Sequence, residues 1–205
     1  KMSPEEHLAH IKQTIDYALS KDFTVNLYLE DWSSGMRDSR DYLFTMMDEL
    51  VKLPIKRFLL PDTLGILNPL QCVEYMRQMV RRYPNSHFDF HAHNDYDLAV
   101  SNSLAAVLSG AKGLHVTVNG LGERCGNAPL ASVQVILKDM FEAKTNIKED
   151  RLNDISRLVE GYSGIAVAPN TPVVGDNVFT QVAGVHADGD NKDKLYCNDL
   201  VPERF

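Results

Sequence analysis

In the run HFDFHAHNDYDLAV (87–100), His91 and His93 stand one residue apart, and Asn94, Asp95 and Asp97 follow at once. Side chains alternate between faces along an extended strand, so the two histidines point the same way. Two imidazoles on one face form a clamp for a divalent cation. The other reading is a pair of core histidines hydrogen-bonded to carbonyls. Ionisable groups crowded at the end of a buried apolar run need partners, and a cation supplies them economically. A mixed nitrogen and oxygen donor set suits Zn, Mn, Mg or Co without choosing among them.

Other apolar runs also end in polar groups. FTVNLYLE (23–30) leads into Glu30-Asp31, RFLLPD (57–62) into Asp62-Thr63, and GLHVTV (113–118) through Thr117 into Asn119. Glu30-Asp31 also reads as an ordinary solvated strand end. In NGLGERCGN, Gly120, Gly122 and Gly126 leave backbone amides free for an anion, or simply make a tight packed turn; the spacing is not the dinucleotide fingerprint. His115 alternates with Leu114 and Val116 and reads as a satisfied core or barrel-wall histidine. Trp32, Tyr42 and Phe44 read as core. His186 sits beside Asp188 and Asp190, which would raise its basicity; a solvated polar loop is the alternative.

The elements that must position these groups alternate. Helical periodicity runs over 4–20, with Ser3 and Glu6 as its capping box, and helices are expected over about 39–52, 69–83, 97–110 and 129–143. DWSSGMRDS reads as a polar turn, Pro69 as a first helical residue and Gly110 as a helix stop. Four strand-then-helix units predict an α/β fold with a parallel sheet: a doubly wound sheet, or half of a (β/α)8 barrel. In both, chemistry gathers at the C-terminal strand ends. Residues 1–145 make up the barrel half. Residues 146–205 read as an extension that starts a C-terminal linker or subdomain, with a helix stopped by Gly164 and then no strand-helix beat.

The chain has 205 residues and a formal charge of −7. That is enough for one substantial core. The acidic balance argues against nucleic acid as a partner. No apolar run approaches the roughly 20 residues of a membrane helix, and the N-terminus carries no signal core. Cys72, Cys125 and Cys197 form no CxxC pair and read as reduced thiols of a cytoplasmic protein. The chain opens on a helix with no leading strand, as a piece of a longer protein would.

HAHNDYDLAVSNSLAAVLSGA followed by VNGLGERCGNAPL, with YLED and LPDTLG before them and GVHADGD after, resembles the α-isopropylmalate, homocitrate and citramalate synthase family of metal-dependent barrel lyases, and looks closest to the citramalate branch. The resemblance covers about residues 20–200. It implies strands five to eight of a (β/α)8 TIM barrel. It also implies acyl transfer from acetyl-CoA to a 2-oxo acid in branched-chain amino-acid biosynthesis. By the same match, His91 and His93 bind the metal, joined by Asn127 directly or through water. Thr63 hydrogen-bonds the substrate carboxylate. Glu30 and His186 carry the base function, with Tyr196 nearby. His186 and Tyr196 would reach into the site of a second subunit, which implies a homodimer. Tyr28, on the face of Glu30, would fill space that a branched substrate needs and so favour pyruvate over 2-oxoisovalerate. The family's Arg-Asp-x-Glu motif is absent, so the chain alone is expected to be inactive. A 3-hydroxyacyl-CoA lyase of the same superfamily and a non-catalytic half barrel are the alternatives.

Overall fold

The structure is a computed structural model that describes residues 2–193, 196 and 198–205; Cys197 lies outside the described residues. The chain divides into two compact units. One runs through Val116 and takes in Gly122–Ala128; the other holds Thr117–Leu121 and Pro129–Phe205.

The first unit is built on four strands, β1 Val25–Tyr28, β2 Ile55–Asp62, β3 Phe88–Ala92 and β4 Gly113–His115. They pair in parallel in the order β1-β2-β3-β4. Every strand lies beside its sequence neighbour, so there is no switch point of the kind a doubly wound sheet has. Right-handed crossovers then put the connecting helices on one face, which is the arrangement of a (β/α)8 barrel, here in half. The helices are α1 Pro4–Leu19, α2 Trp32–Asp38, α3 Arg40–Leu50, α4 Pro69–Arg82 and α5 Ala99–Leu108. Ser3 and Glu6 close the expected capping box on α1. Asn68 and Gln71 close a second one on α4, whose first residue is Pro69.

Strand alternation sorts the sheet into two faces. Phe58, Leu60, Phe88, Phe90 and Ala92 turn outward and are buried with Trp32, Met36, Met47, Met76 and Met79. Trp32 meets Phe90 edge to face at 6.3 Å between centroids. Burial of each large side chain contributes about 1.5–3 kcal/mol. Tyr28, Arg57, Asp89, His91 and His115 occupy the other, polar face.

The structure changes three local readings. DWSSGMRDS is helical rather than a turn. Trp32 and Met36, four residues apart, anchor α2 in the core, an apolar pair hidden among serines and a glycine. Tyr42 is 40% exposed, with its hydroxyl 2.5 Å from His7 Nδ1, so it is not core. The fourth strand stops at His115 instead of 118.

The second unit contains α6 Leu130–Phe141, α7 Leu152–Ser163 and α8 Gly184–Asp193. Its core joins Ala131, Val135, Leu152, Val173 and Val174. Gly164 ends α7 in the left-handed region at φ +69°. The α8 helix was not legible in a segment dense with prolines and glycines. No helix among the described residues is long and apolar enough to cross a membrane.

Candidate active site

The polar strand ends of the first unit do not all face the same task. Asp62 is fully buried, and its carboxylate accepts the amides of Ile66 (3.0 Å) and Leu67 (3.1 Å). Burial pushes its pKa above the ordinary carboxylate range, against the pull of those donors. Asp62 therefore shapes the turn after β2. Thr63, next along, binds two neighbours: its hydroxyl donates to Glu30 Oε1 at 2.9 Å and accepts from the Asp31 amide at 3.0 Å. Glu30 and Thr63, 33 residues apart in sequence, are thus brought together by the β1–β2 pairing.

His91 and His93 lie where the spacing predicts, with ring centroids 5.0 Å apart. The Nδ1 atoms of both are buried, and neither has a hydrogen-bonding partner among the described residues. Burial, then the nearby His93 and His115, holds the His91 pKa below its ordinary value. Asn127 is brought to the pair by backbone pairing: residues 93 and 127 form an antiparallel bridge, and the flanking amides of Asn94 and Ala128 bond the carbonyls of Gly126 (2.9 Å) and Ala92 (3.2 Å). A Cβ on Gly122 would lie 2.1 Å from Asn127 Nδ2, so a glycine there is what lets the carboxamide sit against the loop.

Asn94, Asp95 and Asp97, which follow the histidines, are spent on structure. Asn94 Oδ1 accepts the Ala99 amide at 3.1 Å and its Nδ2 donates to Asp97 at 3.2 Å, which organises the entry to α5. Asp95 pairs with Arg124, which also donates to the Thr63 carbonyl at 2.7 Å. Arg124 was not singled out from the sequence. It stands in GERCGN, but its partners are 29 and 61 residues away.

Tyr28 is 44% exposed and stands edge-on to His91, 6.4 Å between centroids. Burial, then the charges of Glu30 and Asp89, pushes its phenol above the ordinary pKa. His115 is a wall histidine that is satisfied, as expected, by Tyr28 and by the buried Asp89. Beside Tyr28 and Glu30 a groove of about 540 Å³ runs over Leu27, Leu29, Trp32 and Leu43; the histidine pair does not line it.

Two of the three glycine amides of NGLGERCGN, those of Gly120 and Gly126, serve the chain itself. Gly120 N bonds Thr117 O at 3.2 Å and Gly126 N bonds Glu123 O at 2.9 Å, which favours the packed turn over an anion cradle. Asn119 turns to α7, exchanging hydrogen bonds with Ser156 of 2.9 and 2.6 Å.

His186 and Tyr196 belong to the second unit. Their ring centroids are 4.5 Å apart, and the Tyr196 amide is held by Asp190 Oδ1 at 2.7 Å. His186 lies in the first turn of α8. Among the described residues no three or more His, Cys, Asp or Glu side chains gather closely enough to hold a metal ion. The two histidines alone would be only a partial donor set for a cation. The buried, unpartnered ring nitrogens fit such a role.

The HMGL-like family model matches residues 1–159. A protein of Methanopyrus kandleri provisionally named (R)-citramalate synthase CimA is 37% identical over 207 residues, covering 100% of this chain and 40% of that protein. Homocitrate synthases of Saccharolobus islandicus and Saccharolobus solfataricus are each 41% identical over 205 residues, covering 100% of this chain and 44% of theirs. Among solved structures, a Bacillus subtilis HMG-CoA lyase has a TM-score of 0.73 at 22% identity, covering 83% of this chain and 59% of that one. An HMG-CoA lyase from Acinetobacter baumannii in complex with coenzyme A and 3-methylmalate has a TM-score of 0.58 at 25% identity, covering 71% and 49%. The chain spans less than half the length of the curated relatives it matches. The matched span takes in all four strands, the paired histidines and Asn127, and on that ground the chain belongs to the HMGL-like family.

Proposed function

We propose that this chain is part of an enzyme that condenses acetyl-CoA with a 2-oxo acid to a 2-alkylmalate, as a citramalate or 2-isopropylmalate synthase does. The observation that carries the reading is the pair of histidines whose buried Nδ1 atoms have no hydrogen-bonding partner among the described residues, with the Glu30 charge acting on His91 and Thr63 bonded to Glu30. His91 and His93, with Asn127, would hold a divalent cation (Zn, Mn, Mg or Co), their remaining partners coming from outside this chain. Such a cation would polarise the ketone of a bound 2-oxo acid.

The chain's own residues supply the rest. The Thr63 hydroxyl donates to Glu30. A substrate carboxylate arriving at Thr63 takes over that hydrogen bond and releases Glu30 to act as a base. Glu30 then removes a methyl proton from acetyl-CoA, and the carbon so exposed bonds to the keto carbon. A proton completes the new hydroxyl, and water cleaves the thioester, releasing coenzyme A thiol and a carboxylate. The methyl proton is very weakly acidic, so the base must be closely placed. His186, with Tyr196 against it, shares the base work from the extension of a partner subunit in a homodimer. Residues 1–145 act as the barrel half and 146–205 as that extension. Tyr28 restricts the space for the keto substituent and favours pyruvate over 2-oxoisovalerate. The free thiols of Cys72 and Cys125 suit a reducing compartment such as the cytoplasm.

The synthase reading is favoured over a lyase by sequence: the synthases of M. kandleri and S. islandicus are 37% and 41% identical over 100% of the chain, extension included. The test is thiol release from acetyl-CoA by the full-length protein, with pyruvate, 2-oxoisovalerate and other 2-oxo acids, before and after chelation. Release that needs both a 2-oxo acid and a metal is expected. Cleavage of a 3-hydroxyacyl-CoA without net condensation, or no turnover in any mixture, overturns the proposal.

A further inference from the structure

Tyr28 is a half-exposed phenol whose tip, rather than its shaft, is anchored. Its hydroxyl lies 2.8 Å from His115 Nδ1, across the width of the sheet from β1 to β4. The other nitrogen of that ring, Nε2, stands 3.4 Å from Asp89 Oδ2. Asp89 is 1% exposed, so its carboxylate cannot rely on water. It is steadied by His87 Nε2 at 2.8 Å and Arg57 Nη1 at 3.4 Å. It is also seated directly against β4, because a Cβ on Gly113 would come within 2.2 Å of Oδ1. The register explains the geometry. Tyr28, Leu59, Asp89 and Gly113 form one row across the sheet, and His91 pairs with His115 two residues further along β3 and β4, in the next row on the same face.

We infer that Asp89 and His115 are positioning residues that fix the Tyr28 phenol, and through it the room above His91 for the substituent of a 2-oxo acid. This rests on the proposed condensation. A carboxylate facing Nε2 keeps the ring proton there, which leaves Nδ1 as an acceptor. The Tyr28 hydroxyl must then donate to Nδ1, and the ring is held edge-on to His91. Without that hydrogen bond a side chain that is 44% exposed keeps only its edge contacts with the His91 and His115 rings, and the ring can swing aside to admit a bulkier substrate.

The test uses the full-length protein and two readouts. In steady-state kinetics, Tyr28→Phe and His115→Leu should each narrow the ratio of kcat/KM for pyruvate over 2-oxoisovalerate by about tenfold, the scale of one lost hydrogen bond. The loss should fall mainly on KM. The double variant should be no worse than either single one. His115→Asn, whose amide can take the place of Nδ1, should restore much of the ratio where Leu does not. In proteins labelled with 15N-histidine, wild-type His115 should be the Nε2–H tautomer, and Tyr28→Phe should move its Nδ1 resonance. An Nδ1–H tautomer, an unmoved Nδ1 resonance, unchanged ratios or multiplying effects overturn the inference. Wild-type protein inert toward every 2-oxo acid defeats the proposed function instead, and the tautomer measurement then still decides whether Asp89 and His115 hold the phenol.

Discussion

Asp95 grips Arg124 through both carboxylate oxygens, at 2.7 Å to Nε and 3.0 Å to Nη2. That hydrogen bond holds the Asp95 carboxyl below its usual pKa. The same guanidinium reaches the Thr63 carbonyl at 2.7 Å, so one side chain ties the segments following β2 and β3 to the loop that carries Asn127. A lysine cannot reproduce this fork. The pair is partly exposed, so Arg124→Lys should cost less than about 1 kcal/mol in global stability. The local effect should be larger. Amide exchange should quicken at Gly65 and Asp97, whose amides close turns onto Asp62 and Asn94. Unchanged protection at both sites would show that the tie does not order the loops.

What could be read without coordinates followed the range of the interaction. The strand-helix beat, the capping box of Ser3 and Glu6 and the closeness of His91 and His93 depend on spacings of a few residues, and each appears where expected; the second capping box, Asn68 with Gln71, went unread although its spacing is the same. Sequence order alone left a doubly wound sheet and a barrel open; the neighbour-to-neighbour strand order decided it. Arg124 with Asp95, and Asp89 with His115, were invisible because their partners are set by strand register and loop return. The α2 helix was missed for a different reason. Its polar composition points to a turn, and only the burial of Trp32 and Met36 makes it a helix.

Gly122 predicts a clash whose cause can be isolated. Its φ lies outside the left-handed region, so Gly122→Ala meets no backbone penalty. The added methyl meets Asn127 instead, 2.1 Å from Nδ2 and 3.0 Å from Cγ. Overpacking of this kind costs about 1–3 kcal/mol. Denaturant unfolding should show that loss in Gly122→Ala and should show much of it recovered in Gly122→Ala with Asn127→Ala. Simple addition of the two penalties would mean that the carboxamide is not what the methyl strikes.

Glu149 sets an acid limit on the second unit. Burial alone would raise its pKa, but Lys138 (2.5 Å), Arg204 (3.1 Å) and Gln134 (3.4 Å) hold it below the usual glutamate value. A carboxyl whose folded pKa is depressed binds protons more readily when unfolded. Its stabilisation is therefore complete above the unfolded value, near 4.3, and is lost as the pH falls through the lower folded value. Melting of the second unit should steepen in its fall below about pH 4.5, and Glu149→Gln should flatten that fall while lowering the melting point at neutral pH. The same acid slope in both proteins would remove Glu149 from the account.

The paired histidines make a prediction that needs no turnover at all. If they hold a cation, replacing either by alanine should weaken metal binding by more than the 10–100-fold typical of a lost supporting partner. Replacing His115, which is occupied with Tyr28 and Asp89, should leave metal binding within that range or unchanged. A bound ion also stabilises the fold by mass action, so excess Zn, Mn, Mg or Co should raise the wild-type melting temperature, and His91→Ala and His93→Ala should erase that rise. Elemental analysis of the full-length protein and melting curves with and without chelator read both effects. Equal metal content in the wild type and both alanine variants would return His91 and His93 to the role of half-buried wall residues. The two unpartnered Nδ1 atoms would then need another occupant.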